Sequence, residues 1–189
     1  HEAENNTSYI DYNRAGTPLL EIVTHPDLQT PAGAKIFLQE LRLLMRYLGI
    51  SDADMEKGQL RCDANISLRP NPEVFLDKAD QAGIGLDPSK LYPKTEIKNL
   101  NSFRAVERAL AYEIKRQTDL WEQDKAPQVQ STRGWDEKKE YTVLQREKEA
   151  LHDYRYFPEP DLPRIEISQQ DVDALQQTIG ELPADKRQR

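Results

Sequence analysis

Apolar residues recur at helical spacing in two long segments of the chain. The first segment follows Thr30 and Pro31, and these residue types favour the N-cap and the first position of a helix. Its apolar positions are Ala34, Leu38, Leu41, Met45 and Leu48. Gly49 can end this helix, because glycine readily adopts the left-handed conformation found after helix ends. The pattern predicts a helix that packs one face against a sheet.

The second helical segment is capped by Asn101 or Ser102 and extends to about Glu122. Its apolar stripe consists of Phe103, Val106, Ala109, Leu110, Ile114 and Leu120. Its charged residues are predicted to face solvent, and they are Arg104, Glu107, Arg108, Lys115 and Arg116. A shorter helical pattern starts at Ser168, and residues 181–189 have the pattern of the start of another helix.

Alternation of polar and apolar residues predicts strands elsewhere. In residues 60–70 the apolar face is Leu60, Cys62, Ala64, Ile66 and Leu68, and the polar face is Arg61, Asp63, Asn65, Ser67 and Arg69. In residues 92–102 one face carries Lys94, Glu96 and Lys98. The stretches 128–135 and 141–146 predict a hairpin around the polar link 136–140. Strands interleaved with two long helices indicate an α+β fold, with helices on one face of a sheet and a polar face opposite.

A carboxylate interrupts one apolar run, Leu19-Leu20-Glu21-Ile22-Val23, which has the composition of a buried strand. Burying an ionised carboxylate without a partner is costly. Glu21 is therefore expected to be paired, metal-bound or protonated.

The composition narrows the classes of function. The 189 residues carry a net charge of -7, which argues against a protein that coats DNA by neutralising phosphates. Cys62 is the only cysteine, so an intrachain disulfide and a cysteine zinc cluster are excluded. No apolar run approaches the length of a membrane span and no export signal is present, so the cytosol is the expected compartment.

The predicted strands carry three carboxylates, Glu21, Asp63 and Glu96. Converging carboxylates repel one another unless a cation lies between them, and oxygen-only ligand sets suit Mg²⁺. The positive charge that phosphoryl transfer needs could come from Arg61, Lys98, Arg146 and Arg155. The alternative interpretation is a set of salt bridges on the strand surface, each contributing little. No local motif, such as a glycine-rich phosphate loop, favours the metal site over the salt bridges. No nucleophile elbow is present, so nothing supports nucleophilic hydrolysis.

Four longer motifs, in this order, resemble the B subunits of the tRNA-dependent aspartyl/glutamyl-tRNA(Asn/Gln) amidotransferases. They are "DYNRAGTPLLEIV", "EKGQLRCDANISLRP", "KTEIKNLNSFRAVERALAYE" and "HDYRYFPEPDLP". The resemblance runs from about Asp11 to Pro183. It implies a catalytic domain shaped as a cradle, similar in fold to glutamine synthetase, with an antiparallel sheet and helices packed behind it.

The resemblance also implies a reaction. ATP phosphorylates the side-chain carboxylate of Glu-tRNA(Gln) or Asp-tRNA(Asn), and ammonia then displaces the phosphate. The implied partners are the A and C subunits of the amidotransferase. The first hydrolyses glutamine to supply the ammonia, and the second, which is small, holds the assembly together. ATP and Mg²⁺ are the implied cofactors.

Metal-ligand roles follow from the same resemblance. Glu21 matches a metal-ligand position of the family, and Asp63 and Glu96 match two more. Independently of the resemblance, and from their positive charge, we expect Arg61, Lys98 and Arg155 to contact the phosphate or the substrate, and Arg146 to contribute to nucleotide binding with Arg61 and Lys98.

The resemblance divides the chain at residue 168. Residues 1–168 match the C-terminal part of the cradle, and residues 169–189 match a linker and the start of a helical domain. The family's earlier segment carries further metal ligands, so an incomplete metal site, open sheet edges and an inactive isolated segment are expected. The connection 71–91 is longer than the family pattern.

Two other functions stay open. The chain could be a non-catalytic module that docks tRNA or another protein of the assembly, which Mg²⁺-dependent nucleotide binding would distinguish. It could also be a glutamine-synthetase-like ligase for a free small acid, which a requirement for aminoacyl-tRNA would distinguish.

Overall fold

A computed structural model of the chain describes residues 2–4, 7–13, 15–69, 91–148 and 163–189. The strands in these ranges are β1 (Glu2–Glu4), β2 (Thr7–Tyr9), β3 (Cys62–Ile66), β4 (Thr95–Leu100), β5 (Gln130–Asp136) and β6 (Tyr141–Lys148). The helices are α1 (Pro31–Tyr47), α2 (Phe103–Glu122), α3 (Gln169–Thr178) and α4 (Pro183–Gln188). Within the described ranges, no helix is long and apolar enough to cross a membrane.

The main sheet has four strands in the order β3-β4-β5-β6. β3 pairs with β4 and β5 with β6 in antiparallel fashion, so the predicted hairpin is confirmed. β4 and β5 are parallel, because α2 returns the chain to the end of the sheet from which β4 started. The predicted α+β class is confirmed, and the sheet is mixed at this one pairing. β1 and β2 form a separate two-stranded sheet.

Both long helices begin where the sequence predicts. The Thr30 hydroxyl accepts a hydrogen bond from the Gly33 amide at 3.0 Å, and the Ser102 hydroxyl accepts one from the Ala105 amide at 3.0 Å. α2 packs on β3, β4 and β6, and α1 packs on α2. The shared core comprises Leu38, Ala64, Ile66, Ile97, Leu100, Ala105, Val106, Ala109, Leu110 and Trp135.

The predicted buried strand around Glu21 is wrong. Residues 17–25 form no strand, and Leu19 and Val23 expose 90% and 83% of their surface. An apolar run becomes a buried strand only when another strand bonds to it and a layer covers it, and no described element does either. Glu21 itself is exposed, so the cost of burying its charge does not arise here.

The C-terminal pattern is confirmed in outline. Ser168 caps α3, and a reciprocal hydrogen bond joins its backbone amide to the Asp171 carboxylate. The domain division at residue 168 stays a prediction. Of the predicted connection 71–91, residues 71–90 lie outside the described residues.

A polar network lies inside the core, under α2. Glu113 is completely buried, and three neighbouring side chains donate to its carboxylate. Arg116 Nε donates to Oε2 at 2.9 Å, Gln117 Nε2 donates to Oε1 at 2.9 Å, and Thr142 Oγ1 donates to Oε2 at 3.0 Å. Arg116 therefore does not simply face solvent, as the helical pattern predicts, because it turns back to pair with Glu113.

The network joins α2 to three strands. Gln117 also donates to Thr95 Oγ1 on β4 at 3.1 Å. Thr142 lies on β6, and its hydroxyl accepts from Arg133 Nε on β5 at 2.7 Å. Arg133 Nε lies 3.8 Å from the Glu113 carboxylate. Each polar side chain of this network is thus satisfied by a neighbour from another element or another turn of the helix.

This environment keeps Glu113 ionised. Burial alone would raise its pKa, but the hydrogen bonds and the charge of Arg116, with the hydrogen bonds of Gln117 and Thr142, hold that pKa below its usual value. A carboxyl whose pKa is lower in the folded state stabilises the fold above its unfolded pKa. That contribution is lost as the pH falls through the folded pKa.

We expect Glu113→Gln to lower the free energy of unfolding by about 3 kcal/mol at neutral pH, because the substitution leaves guanidinium charge without its carboxylate. Urea denaturation measures the effect. The difference from the wild type should shrink as the pH falls below the ordinary glutamate value of 4.5, because the wild-type carboxyl then becomes neutral as well.

The matched control is Glu107→Gln on the same helix. Glu107 pairs with Lys35 at 2.7 Å, and both side chains are about one-third exposed. Its replacement should cost less than about 1 kcal/mol. Equal losses for the two variants would contradict a special role for the buried network.

Candidate functional site

Five side chains meet on the face of the main sheet opposite α2. We call this group the polar row, and its members are Asp63, Glu96, Lys98, Thr132 and Arg146. Glu96, Thr132 and Arg146 are register partners across β4, β5 and β6. Partners in adjacent strands point to the same face, so the three side chains lie side by side. Strand pairing therefore assembles this part of the row.

Lys98 joins the two carboxylates of the row. Its Nζ donates to Asp63 Oδ2 at 2.6 Å and lies 3.3 Å from Glu96 Oε1. The hydrogen bond to Asp63 is the main cause that raises the pKa of Lys98, and the charges of both carboxylates add to it against a smaller opposing effect of burial. The lysine is therefore fully charged at neutral pH.

Thr132 holds the other side of Glu96. Its hydroxyl donates to Glu96 Oε2 at 2.9 Å and accepts from Arg146 Nε at 3.4 Å. Thr132 is buried, whereas Arg146 is exposed. One oxygen of Glu96 thus points to the ammonium and the other to the hydroxyl, which fixes the orientation of the carboxylate.

A bulge between β3 and β4 brings Lys98 to Asp63. The register shifts so that Lys98 and Asn99 together face the single residue Asp63. Asn99 takes a φ of 64°, a left-handed conformation that asparagine tolerates better than most residues. Its side-chain amide donates to the Trp135 carbonyl at 2.9 Å. The extra residue lets Lys98 point outward while Leu100 still enters the core.

A second bulge shapes the row at β6. Arg133 faces Leu144, but the neighbouring Thr132 faces Arg146, so Gln145 is the extra residue. Without this insertion Arg146 would turn to the helix-covered face, because a shift of one residue exchanges the two faces of a strand.

A shallow depression of about 430 Å³ adjoins the row, above Gly134. Its lining includes Asn99, Gly134, Val143 and Gln145. Gly134 is the register partner of Lys98. A Cβ at Gly134 would lie 2.5 Å from Gln145 Nε2, so the Gln145 amide lies across the space that the glycine leaves.

The structure brings together four of the seven predicted site residues: Asp63, Glu96, Lys98 and Arg146. Arg61 is exposed, one residue before β3, and is not bonded to any residue that the structure describes. Glu21 does not join the carboxylates of the row, and within the described ranges no group of three or more His, Cys, Asp or Glu side chains could hold a metal ion. Arg155 lies outside the described residues. The roles of all seven residues stay predictions.

Sequence reasoning missed Thr132 and Glu113. The hairpin pattern gives the face of Thr132 only if the bulge is known, and no local motif marks the bulge. Glu113 occurs among charged residues of an amphipathic helix, where a solvent-facing position is the ordinary expectation. One signal points to the burial of Glu113. It lies four residues from Ala109 and four from Gln117, so all three share the inner face of α2.

The donor set of the row suits Mg²⁺. One ammonium nitrogen contacts oxygens of both Asp63 and Glu96, so the two carboxylates converge on a single position for a cation. Mg²⁺ commonly uses one or two carboxylates of the protein and completes its shell with water and substrate phosphates. Two carboxylates are therefore a sufficient protein contribution for a site shared with a nucleotide.

Cys62, the residue before Asp63, has a reactivity that depends mainly on its burial. Burial, and secondarily the charge of Asp63, raise the pKa of this thiol to about 11. With divalent metals removed by EDTA, we expect alkylation by iodoacetamide at pH 8 to be about 100-fold slower than for an exposed cysteine, since the thiolate is the nucleophile. The rate should rise about tenfold per pH unit up to pH 10. Reaction at the rate of a free thiol would contradict the burial of this side chain.

Comparison with known proteins agrees with the motifs. A family model described as the GatB/GatE catalytic domain matches residues 1–173. The B subunit of the aspartyl/glutamyl-tRNA(Asn/Gln) amidotransferase of Persephonella marina is 48% identical over 182 residues, which are 96% of this chain and 35% of that protein. The B subunits of the same name from Leptospira biflexa and Crocosphaera subtropica are 44% and 47% identical, over 100% and 96% of this chain and 36% and 34% of their own lengths.

The chain thus spans about a third of the length of the curated relatives it matches. The match to the family model nonetheless covers most of the chain, including every residue of the polar row. The chain belongs to the GatB/GatE catalytic domain family.

Proposed function

We propose that this chain forms part of the kinase site of a tRNA-dependent amidotransferase. In this proposal the enzyme uses ATP and Mg²⁺ to phosphorylate the side-chain carboxylate of Glu-tRNA(Gln) or Asp-tRNA(Asn), and then amidates it with ammonia from glutamine. Family membership and the names of the relatives support the class of enzyme. The partners would be the glutamine-hydrolysing A subunit, here called the glutaminase subunit, and the small C subunit.

One observation carries the assignment of the site. Asp63, Glu96, Lys98 and Arg146 meet on the sheet face opposite α2, supported from behind by the core. Phosphoryl transfer needs little covalent chemistry from the protein, but it needs charges placed accurately around the phosphates. Side chains on paired strands are held more accurately than side chains on loops.

The chemistry explains why such a site is needed. A carboxylate is a poor electrophile, because its leaving group would be oxide. One of its oxygens attacks the γ-phosphorus of ATP, the bond to the bridging oxygen breaks, and ADP leaves. Ammonia then attacks the acyl carbon, inorganic phosphate leaves, and the nitrogen loses a proton to give the amide.

The residues of the row have separable roles in this proposal. Asp63 and Glu96 hold the metal, and Lys98 and Arg146 provide positive charge toward the phosphates. Bound Mg²⁺ would neutralise phosphate charge that develops during transfer. Thr132 orients Glu96 through its hydroxyl, and α2 closes the opposite face of the sheet against water.

A docking module for tRNA or another protein of the assembly is the second candidate. The exposed apolar side chains of residues 19–23 favour some contact with another surface. Such a module would not need two carboxylates that converge on one cation. Nucleotide binding that depends on Mg²⁺ and on the polar row therefore separates the two functions.

The test uses the complete amidotransferase that contains this chain. We expect Glu96→Gln and Asp63→Asn to lower ATP-dependent phosphorylation of misacylated tRNA by at least about 100-fold, since each removes a carboxylate that would hold the metal beside the reacting phosphate. Glutamine hydrolysis by the glutaminase subunit should continue at the wild-type rate. Phosphorylation is measured as release of ADP, and glutaminase activity is measured as formation of glutamate.

Glu122→Gln is the matched control, because Glu122 is an exposed carboxylate at the end of α2, away from the polar row. It should leave both activities unchanged. Wild-type phosphorylation in both polar-row variants would refute the proposed site. Glu21→Gln tests the remaining predicted ligand separately, and loss of phosphorylation alone would show that Glu21 takes part in the working enzyme.

A further inference from the structure

We propose that Lys98 is a resident counter-ion that competes with the divalent cation for Asp63 and Glu96, so that metal binding releases its ammonium group to an anionic ligand. This inference rests on the proposed function, because it concerns the same pair of carboxylates. It adds a regulatory property: metal and nucleotide binding become coupled through one lysine.

The ammonium already has the position of a shared cation. Nζ lies 2.6 Å from an oxygen of Asp63 and 3.3 Å from an oxygen of Glu96, on two neighbouring strands. Thr132 holds the second oxygen of Glu96, which leaves Oε1 directed at the lysine. A metal ion that used these two oxygens would therefore have to displace the ammonium.

The exposure of the three groups makes exchange possible. The side chains of Asp63, Lys98 and Glu96 expose 50%, 38% and 18% of their surface, so water and ions reach the contact. Ion pairs this exposed contribute little to stability. By contrast, Glu113 under α2 exposes nothing and is fixed by several donors. The Lys98 contacts are replaceable, whereas those of Glu113 are structural.

Lysine is the suitable residue for such a role. Its charge is compact and lies at the end of a flexible four-carbon chain, whereas the planar arginine fork favours a fixed paired geometry. The bulge at Asn99 supports the base of the side chain on the sheet, and the Asn99 amide anchors that bulge to β5. The ammonium can move while its backbone stays in place.

The sign of the coupling follows from this competition. Without nucleotide, the lysine competes with the metal and weakens its binding. A nucleotide offers the ammonium its phosphates, which removes the competitor and tightens metal binding. Because coupling between two ligands is reciprocal, the metal should tighten nucleotide binding by the same factor.

The experiment measures Mn²⁺ binding by electron paramagnetic resonance in the complete enzyme, with and without a non-hydrolysable ATP analogue. Lys98→Met should bind Mn²⁺ about tenfold more tightly than the wild type in the absence of nucleotide, since one competing charge is gone. The factor by which the analogue tightens Mn²⁺ binding should be smaller in the variant. Lys98→Gln, which keeps a hydrogen-bond donor near Asp63, should change both quantities in the same direction.

Lys94→Met is the matched control. Lys94 is exposed, lies one residue before β4, and forms no ion pair with any residue that the structure describes. Its replacement removes the same charge and should change Mn²⁺ affinity by less than about twofold, because this exposed ammonium forms no ion pair with Asp63 or Glu96 and is screened by solvent.

The possible failures are distinguishable. Equal or weaker Mn²⁺ binding by Lys98→Met, with normal binding by the wild type, overturns the counter-ion role and leaves the proposed function intact. If the wild type binds no Mn²⁺ with the nucleotide analogue, or binds it unchanged after Asp63→Asn and Glu96→Gln together, the metal site itself is wrong and both proposals fall.

Discussion

An ionised carboxylate buried between a helix and a sheet constrains most of this structure. Glu113 has no exposed surface, so its charge is tolerable only while Arg116, Gln117 and Thr142 donate to it. Apolar burial is favourable but non-directional. Hydrogen bonds are directional, and these are satisfied together in one placement of the helix, so the network selects that placement.

The same network influences the opposite face of the sheet. Thr142 and Arg133 bond to each other on the helix side of β5 and β6, directly beside the bulge at Gln145. That bulge turns Arg146 outward, next to Thr132. Arg133 and Thr132 are neighbours in one strand, so holding the first limits the movement of the second. The polar row is thus positioned by contacts made below the sheet, on a rigid support of the kind that accurate charge placement requires.

Hydrophobic periodicity was sufficient to predict the helices and the hairpin, but it could not predict the bulges or the burial of Glu113. Caps such as Ser102 act locally, so the start of α2 follows from a few residues. The partnership of Thr132 with Arg146 depends on a bulge: counting back from the turn, where residue 136 faces 141, would pair residue 132 with 145. The burial of Glu113 could be predicted only by knowing that β4, β5 and β6 supply its polar network. Residues 19–23 show the reverse error, since strand composition cannot supply a partner strand.

Glu113, compared with Asp63 and Glu96, shows how environment separates a fixed charge from an exchangeable one. Glu113 is surrounded by donors and closed to solvent, so exchanging any partner would expose an unpaired charge in the core. Asp63 and Glu96 both contact the partly exposed ammonium of Lys98, and another cation could take its place at little cost. In the proposed function the site binds and releases ions in each cycle, which requires the second arrangement. The site can keep its geometry while ions exchange, because the Glu113 network on the other side of the sheet keeps its partners.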